Sequence, residues 1–164
     1  MSDSGNSFRN ERLDERQRLH WELLTSFGII AQLIEERARH VLPEDLPRPL
    51  FSILNHMIRL SEVTTVTDLA RAFQVPQPGM TKSVQKLLDR GYLAAEPDAA
   101  DARRKLLRLT EAGRAAHAEA LQRMAPEAEL IFGGWPTEEL AELQKPLYRV
   151  RRWLDENRSN FSDM

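Results

Sequence analysis

Two short helical patterns joined by a tight turn place the strongest constraint on the fold of this chain. The first covers residues 68–73, with Thr67 as its predicted N-cap, because a threonine hydroxyl can accept a free backbone N–H at a helix start. The second carries apolar residues at i, i+4, i+7 and i+8: Met80, Val84, Leu87 and Leu88. Pro78 suits its first turn, and Gly91 is expected to end it. This pair of patterns predicts a helix-turn-helix.

A hairpin with a basic tip follows the second helix. Two short β patterns cover residues 92–96 and 105–109, and the link between them leads into Arg103, Arg104 and Lys105. A basic hairpin directly after a helix with a polar exposed face is the layout of a winged helix. The predicted fold class is therefore mostly α: an α+β winged helix-turn-helix with a small β hairpin, flanked by a helical dimerisation region.

The flanking helix on the N-terminal side is long and amphipathic. Apolar residues at helical spacing run from Leu19 to Ala38, and this helix should end before Pro43. A proline-rich connector then leads to a second helix at about residues 49–60. Its expected inward residues are Phe51, Leu54, Met57 and Ile58.

Two further helices follow the hairpin. Thr110 should cap the first of them, which runs to Gly133, and the other starts near Thr137. The apolar stripe of the first comprises Ala115, Ala118, Leu121, Met124 and Ala125, and that of the second comprises Leu140, Leu143, Leu147, Val150 and Leu154. The chain is thereby divided into an N-terminal dimerisation helix with its connector (1–46), a winged helix-turn-helix (47–113) and C-terminal dimerisation helices (114–164).

These apolar stripes, from opposite ends of the chain, exceed what one small winged helix can cover. A homodimer is therefore predicted, and an intramolecular helical bundle is the alternative. In a two-fold dimer the two reading helices would stand about 34 Å apart, one turn of DNA, on a pseudo-palindromic site.

The distribution of charge favours a nucleic-acid partner, although the total does not. The net charge is −2, which by itself disfavours a polyanion. Between residues 71 and 108, however, eight basic residues stand against four acidic ones, so that this segment carries +4 and the rest of the chain −6. The positive charge is concentrated in the predicted winged helix.

The exposed face of the second helix and the wing supply candidate contacts to double-stranded DNA. Phosphate contacts are expected from Lys82, Lys86, Arg90, Arg104 and Lys105. Base contacts are expected from Gln77, Thr81, Lys82, Gln85 and the wing Arg103. Gln85 can pair with adenine through two hydrogen bonds, and a wing arginine suits a narrow minor groove. The alternative is an ordinary solvated helix surface.

Four stretches occur together in a specific order: Thr67-Asp68-Leu69-Ala70; Met80-Thr81-Lys82 with Val84, Leu87 and Leu88; Asp101-x-Arg103; and Leu109-Thr110-Glu111-x-Gly113. In this order they resemble the MarR family of bacterial winged-helix transcription regulators. The resemblance implies a ligand-responsive homodimeric repressor, with the second helix of the motif in the major groove and the wing in the minor groove. Where the family often has Asp-Arg-Arg, this chain has Asp101-Ala102-Arg103, so Arg104 or Lys105 is the expected substitute.

The resemblance also implies an effector site. In the family, small aromatic or phenolic ligands bind between the dimerisation region and the winged helix and weaken DNA binding. Trp21, His56 and Arg59 are the candidate residues, because a cation beside an aromatic ring suits an aromatic carboxylate. The alternative is that these side chains serve packing or lie on the surface.

Enzymatic and metal chemistry find no support in the sequence. There is no cysteine, and the four histidines show no i, i+3 or i, i+4 pairing, so no metal, cofactor or catalytic residue is predicted. No signal sequence or apolar run of about 20 residues occurs, so a cytoplasmic protein without membrane contact is expected. The remaining alternatives are a winged-helix protein-interaction module that does not bind DNA and a helical small-ligand carrier.

Overall fold

The computed structural model of the protein describes residues 13–99 and 104–157. Its elements are α1 (Glu15–Val41), α2 (Arg48–Leu60), β1 (Val63–Thr64), α3 (Val66–Phe73), α4 (Gln77–Asp89), β2 (Leu93–Pro97), β3 (Lys105–Leu109), α5 (Glu111–Phe132) and α6 (Thr137–Glu156). The chain divides into two compact units, residues 1–40 and 41–164. The mostly helical winged-helix fold class is confirmed, whereas the three-part division at residues 46 and 113 stays a prediction.

Helix α1 makes up the described part of the first unit and ends at Val41, ahead of Pro43 as predicted. Most of its large apolar side chains are exposed within the single chain, and Trp21 and Leu33 are 60% and 61% exposed. A helix of 27 residues with this much uncovered apolar surface has an unpartnered face.

The core of the second unit forms around α2. The buried face of α2 consists of Leu50, Ile53, Leu54 and Met57. Leu54 and Met57 agree with the sequence prediction, whereas Phe51 and Ile58 lie at the edge of the core and are only partly buried. Helix α2 packs against α4, α5 and β3 at once, so its buried stripe is wider than one row of residues and turns toward Leu50 and Ile53.

The N-cap of α3 is Thr65, and the prediction of Thr67 is wrong. The Thr65 hydroxyl accepts a hydrogen bond from the backbone N–H of Asp68 at 3.1 Å and donates to the Asp68 carboxylate at 2.7 Å. Thr67 lies exposed in the first turn. Strand β1 decides between the two threonines, because its pairing with β3 keeps the chain extended through Thr64 and leaves Thr65 as the first residue that can begin the turn.

We therefore expect Thr65→Ala to lower the free energy of unfolding by about 1 kcal/mol, the usual cost of losing an N-cap. Thr67→Ala is the matched control, since it removes the same atoms two residues later, and it should change stability by less than about 0.5 kcal/mol. Urea denaturation monitored by circular dichroism gives both values. Equal losses from the two variants would contradict this assignment of the cap.

The turn between α3 and α4 is short and well closed. Gln74 takes the left-handed conformation (φ 53°), and the N–H of Val75 donates to the carbonyl of Ala70 at 3.1 Å, which terminates α3. Helix α4 ends at Asp89, and Gly91 (φ 70°) closes it as predicted, because the N–H groups of Gly91 and Tyr92 donate to carbonyls of the last turn, both at 2.9 Å. Helices α3 and α4 thus form the helix-turn-helix.

A three-stranded antiparallel sheet in the order β1-β3-β2 forms the wing. The hairpin is confirmed, with Leu93 opposite Leu109 and Pro97 opposite Lys105. Sequence reasoning missed β1, a strand of only two residues that pairs through Val63 and Thr64. A strand this short has too few residues to show a period of two.

Helices α5 and α6 complete the second unit. Thr110 caps α5 as predicted, because its hydroxyl accepts from the N–H of Gly113 at 3.0 Å. The buried residues of α5 are Gly113, His117 and Ala120. Of the predicted stripe, Met124 is half-buried and the other four residues are exposed in the single chain. None of the residues of α6 is buried in the single chain. In the described parts of the chain, no helix has the length and apolarity needed to cross a membrane.

Candidate nucleic-acid interface

Helix α4 presents two parallel rows of polar side chains on its outer face. One row has four-residue spacing and comprises Gln77, Thr81, Gln85 and Asp89, and the neighbouring row comprises Lys82, Lys86 and Arg90. All of these residues are exposed, whereas Met80, Val84 and Leu87 on the opposite side are buried in the core. The apolar side therefore holds the helix in place while the whole polar face stays accessible.

Several side chains of this face have partners within the helix. The Thr81 hydroxyl donates to the carbonyl of Gln77 at 2.9 Å, and the Gln85 amide nitrogen donates to the Asp89 carboxylate at 2.7 Å. Arg90 folds back and donates to the carbonyl of Lys86 at 2.8 Å. Within residues 13–99 and 104–157, no carboxylate lies within ion-pair distance of the Lys82 or Lys86 ammonium group. These two lysines are the free point charges of the face.

The wing carries fewer uncompensated charges than the sequence indicates. Arg104 lies 3.9 Å from the carboxylate of Asp98, and Arg108 contacts Glu96 at 3.2 Å across the hairpin. Lys105 is exposed on β3. Arg103, the predicted minor-groove contact, lies outside the described residues. Among the described cations of the wing, Lys105, which pairs with Pro97 at the tip end of the hairpin, is therefore the one best placed to bind an anion.

The end of α4 and the root of the wing are tied to neighbouring segments. The Tyr92 hydroxyl donates to the carboxylate of Asp45 in the connector at 2.6 Å, and this hydrogen bond raises the pKa of Tyr92 above its ordinary value. The Thr110 hydroxyl donates to the carbonyl of Gly91 at 2.6 Å. Sequence reasoning missed Asp45 and Tyr92, because 47 residues separate them and neither belongs to a motif. These bonds fix the wing relative to α4.

The predicted effector residues receive no common site in the second unit. His56 is half-buried, with its ring centroid 5.3 Å from that of Phe73, whereas Arg59 is exposed. A shallow groove of about 340 Å³ includes His56 but not Arg59. Its charged residues are Asp68, Arg71, Asp155 and Glu156. Three carboxylates and one arginine do not favour an anionic ligand, so this groove does not support a site for an aromatic carboxylate. Trp21 belongs to the first unit and is exposed.

His117 joins α5 to α2. Its ring stacks on Phe51 with centroids 5.1 Å apart, and its Nε2 lies 3.2 Å from Oδ1 of Asn55. Because Oδ1 of an amide only accepts, Nε2 carries the proton in this contact. Burial lowers the pKa of His117 below its ordinary value of 6.5. The neutral imidazole is therefore the form that the fold favours.

We expect the folded protein to lose stability as the pH falls below about 6.5, because the unfolded chain then takes up a proton on His117 that the folded chain resists. Above this pH both states are neutral at His117 and the effect vanishes. Urea denaturation at pH 7.5 and pH 5.0 measures the difference. His117→Gln is the control, since it keeps a donor for Asn55 without titrating, and its stability should fall less between the two pH values. An identical fall in both proteins would contradict the role of His117.

Within the described residues, no group of three or more His, Asp or Glu side chains could hold a metal ion. The polar side chains of α4 are suited to hydrogen bonds and ion pairs rather than to nucleophilic or acid–base chemistry. Such a face, convex and positively charged, can bind an extended polyanion.

Comparison with known proteins agrees with this geometry. The model of the MarR family matches residues 44–104. The transcriptional regulator BldR from Sulfolobus solfataricus is 24% identical, covering 84% of this chain and 99% of its own, with a TM-score of 0.66. A MarR protein from Peptoclostridium difficile is 18% identical, covering 96% and 99%, with a TM-score of 0.70. No curated protein matches the sequence.

A third solved structure was determined with a small molecule present. The organohalide-sensing transcriptional regulator RdhR, in its 2,4-dichlorophenol-bound form, is 20% identical, covering 94% of this chain and 89% of its own, with a TM-score of 0.64. The family match and these similarities confirm the resemblance inferred from the motifs.

Proposed function

On the premise that this chain has the winged-helix segment and the fold of the MarR family of transcriptional regulators, we propose that it is a sequence-specific DNA-binding regulator and not an enzyme. The observation that carries the proposal is the outer face of α4, where Lys82 and Lys86 are accessible and unpaired with any described carboxylate. An α-helix is about 10–12 Å wide and fits the major groove of B-DNA, which is about 12 Å wide.

The two rows of polar residues on α4 would have different roles in DNA binding. Lys82, Lys86 and Arg90 are suited to phosphate contacts, which set affinity for any sequence. Gln77, Thr81 and Gln85 are suited to base edges, which set the preferred sequence. The wing, with Arg103, Arg104 and Lys105, would reach the neighbouring minor groove.

The uncovered apolar surface supports a homodimer. Side chains such as Leu33 in α1, Leu130 in α5 and Trp153 in α6 are 61%, 72% and 55% exposed in the single chain. Burying them against a second copy would recover roughly 25 cal/mol for each Å² of apolar surface removed from water. Sedimentation velocity should therefore show a dimer at micromolar protein concentration. Such a dimer would present two reading helices to a pseudo-palindromic operator.

We also propose that a small aromatic or phenolic effector binds this protein and weakens its binding to DNA. The protein would then act as a ligand-responsive repressor in the cytoplasm. The support for this proposal is the family's ligand-responsiveness and the dichlorophenol-bound form of RdhR. Trp21, His56 and Arg59 remain the candidate residues. Titration of a DNA complex with salicylate and with 2,4-dichlorophenol tests this part, and an affinity unchanged by either compound would count against it.

The DNA proposal is tested by measuring affinity for the DNA upstream of the protein's own gene as the salt concentration rises. Five candidate phosphate contacts in one protomer predict a slope of about −4 or steeper in log K against log salt. Fluorescence anisotropy with labelled DNA provides the affinities. A flat salt response at every upstream fragment would contradict DNA binding and favour the alternative of a protein-interaction module.

A further inference from the structure

The hydrogen bond between Gln85 and Asp89 orients the amide on the outer face of α4. We infer that Asp89 is a positioning residue that makes Gln85 present a hydrogen-bond acceptor to the bases. The base that Gln85 meets in the major groove should then be one with an exocyclic amino group, adenine first and cytosine second. This inference rests on the proposed DNA binding and specifies the base that Gln85 of the reading helix prefers.

The orientation of the amide follows from the chemistry of its partner. The Gln85 nitrogen lies 2.7 Å from an oxygen of Asp89, one helical turn away, which is a typical length for a hydrogen bond to a charged group. A carboxylate accepts and does not donate, so the nitrogen of the amide and not its oxygen must face Asp89. Both side chains are exposed on the face proposed to meet DNA.

The carbonyl oxygen of Gln85 consequently points away from Asp89. Nitrogen and oxygen diverge by about 120° in a planar amide, so the oxygen is the atom that is left free. Turning the amide over would break the bond and place two acceptors side by side. A hydrogen bond to a charged group biases such an equilibrium by about tenfold.

The free oxygen distinguishes two classes of base. In the major groove adenine and cytosine offer amino donors, whereas guanine and thymine offer the carbonyl acceptors O6 and O4 at comparable places. The Gln85 oxygen can accept from the first class and is repelled by the second. Adenine also offers N7 as an acceptor, which the remaining amide N–H can use, so adenine is the expected first choice.

The position of Asp89 in the helix favours this role over a structural one. Asp89 is the last residue of α4, where the negative end of the helix dipole disfavours a carboxylate. It also adds negative charge to a face proposed to approach phosphates, which lowers affinity for every sequence. Replacing Asp89 should therefore leave the fold intact and strengthen binding overall.

The test compares base preferences of the full-length wild type with those of four variants: D89A, D89N, Q85A and Q85E. Each protein selects binding sites from randomised double-stranded DNA, and the position that loses its preference in Q85A is the one that Gln85 reads. Wild type should prefer adenine or cytosine there by about tenfold over guanine and thymine. D89A should reduce this to less than about threefold.

D89N tests whether the acceptor-only carboxylate fixes the amide. Asparagine also removes the carboxylate charge, so both Asp89 variants should bind all sequences more tightly. Because its amide can either accept from the Gln85 nitrogen or donate to the Gln85 oxygen, D89N should lose most of the preference, as D89A does. Q85E, which offers only acceptors whether or not Asp89 is present, should retain the preference for amino bases.

Three results would overturn the inference: an unchanged preference in D89A, a wild-type preference for guanine or thymine at this position, or an unchanged preference in D89N. The inference also fails if Q85A changes the base preference at no position of the selected sites. Failure of the proposed function looks different, because then wild type selects no sequence at all and its binding does not respond to salt.

Discussion

Replacing Gly113 by alanine should lower the free energy of unfolding by about 3 kcal/mol, at the upper end of what a forced extra methyl group costs in a packed site. A Cβ at Gly113 would stand 2.2 Å from the carbonyl oxygen of Tyr92 and 3.0 Å from a methyl carbon of Leu109. The Tyr92 carbonyl cannot withdraw freely, because it accepts the N–H of Thr110 at 3.2 Å. The cost is steric, since the start of α5 must separate from the root of the wing.

Gly79→Ala is the matched control for this prediction. Gly79 also lies in a helix, but nothing lies within 4 Å of the position its Cβ would take. Alanine should there raise stability by about 0.5–1 kcal/mol, because it restricts the unfolded chain and favours helix. Urea denaturation of the free proteins yields both values. Similar effects of the two substitutions would show that the contact of Gly113 with the Tyr92 carbonyl does not exist in solution.

Leu87→Ala should lower the free energy of unfolding by about 2–5 kcal/mol, the range for leucine deletions in protein cores. Leu87 is fully buried, on the side of α4 that packs into the core shared with α2 and the sheet. Its loss leaves a cavity beneath the helix proposed to read DNA. Thermal and urea denaturation measure the loss.

The neighbouring Lys86 supplies the control, because it lies on the exposed face of the same helix. Lys86→Ala should leave stability within about 0.5 kcal/mol of wild type. It should weaken DNA binding about equally for all sequences and reduce the salt slope by about 1. A large stability loss in K86A, or none in L87A, would contradict the assignment of the two faces of α4.

Local signals carried the prediction of the helix-turn-helix. The end of α4 depends on a glycine that can take a positive φ, and the start of α5 on a threonine hydroxyl within reach of the N–H of Gly113, so each is decided by residues within one turn. The inner face of α4 was equally readable, because the spacing of Met80, Val84 and Leu87 specifies one side of a helix. The residues of α4 that do not belong to this apolar side then make up its polar outer face.

Where two residues carry the same local signal, the sequence alone could not show which of them is used. Thr65 and Thr67 are both acceptable caps, and the pairing of β1 with β3 selects the first. On α5, apolar spacing marked one stripe, from Ala115 to Ala125, whereas the packing of His117 against Phe51 buries a different side of the helix. Interactions over long separations in the chain have no local signature, as for the ion pair of Arg114 with Glu62, which lowers the pKa of that carboxyl.

By itself the sequence determined the order of the helices and the hairpin, the buried side of the reading helix and the concentration of basic residues in the winged helix, because periodicity, caps and charge act within a few residues. Tertiary structure alone decided which threonine caps α3, why Gly113 admits no side chain, how Tyr92 holds the wing to Asp45 and which long apolar faces the single chain leaves uncovered. These features depend on the close approach of residues that are distant in sequence, and burial and steric exclusion arise only when those residues meet.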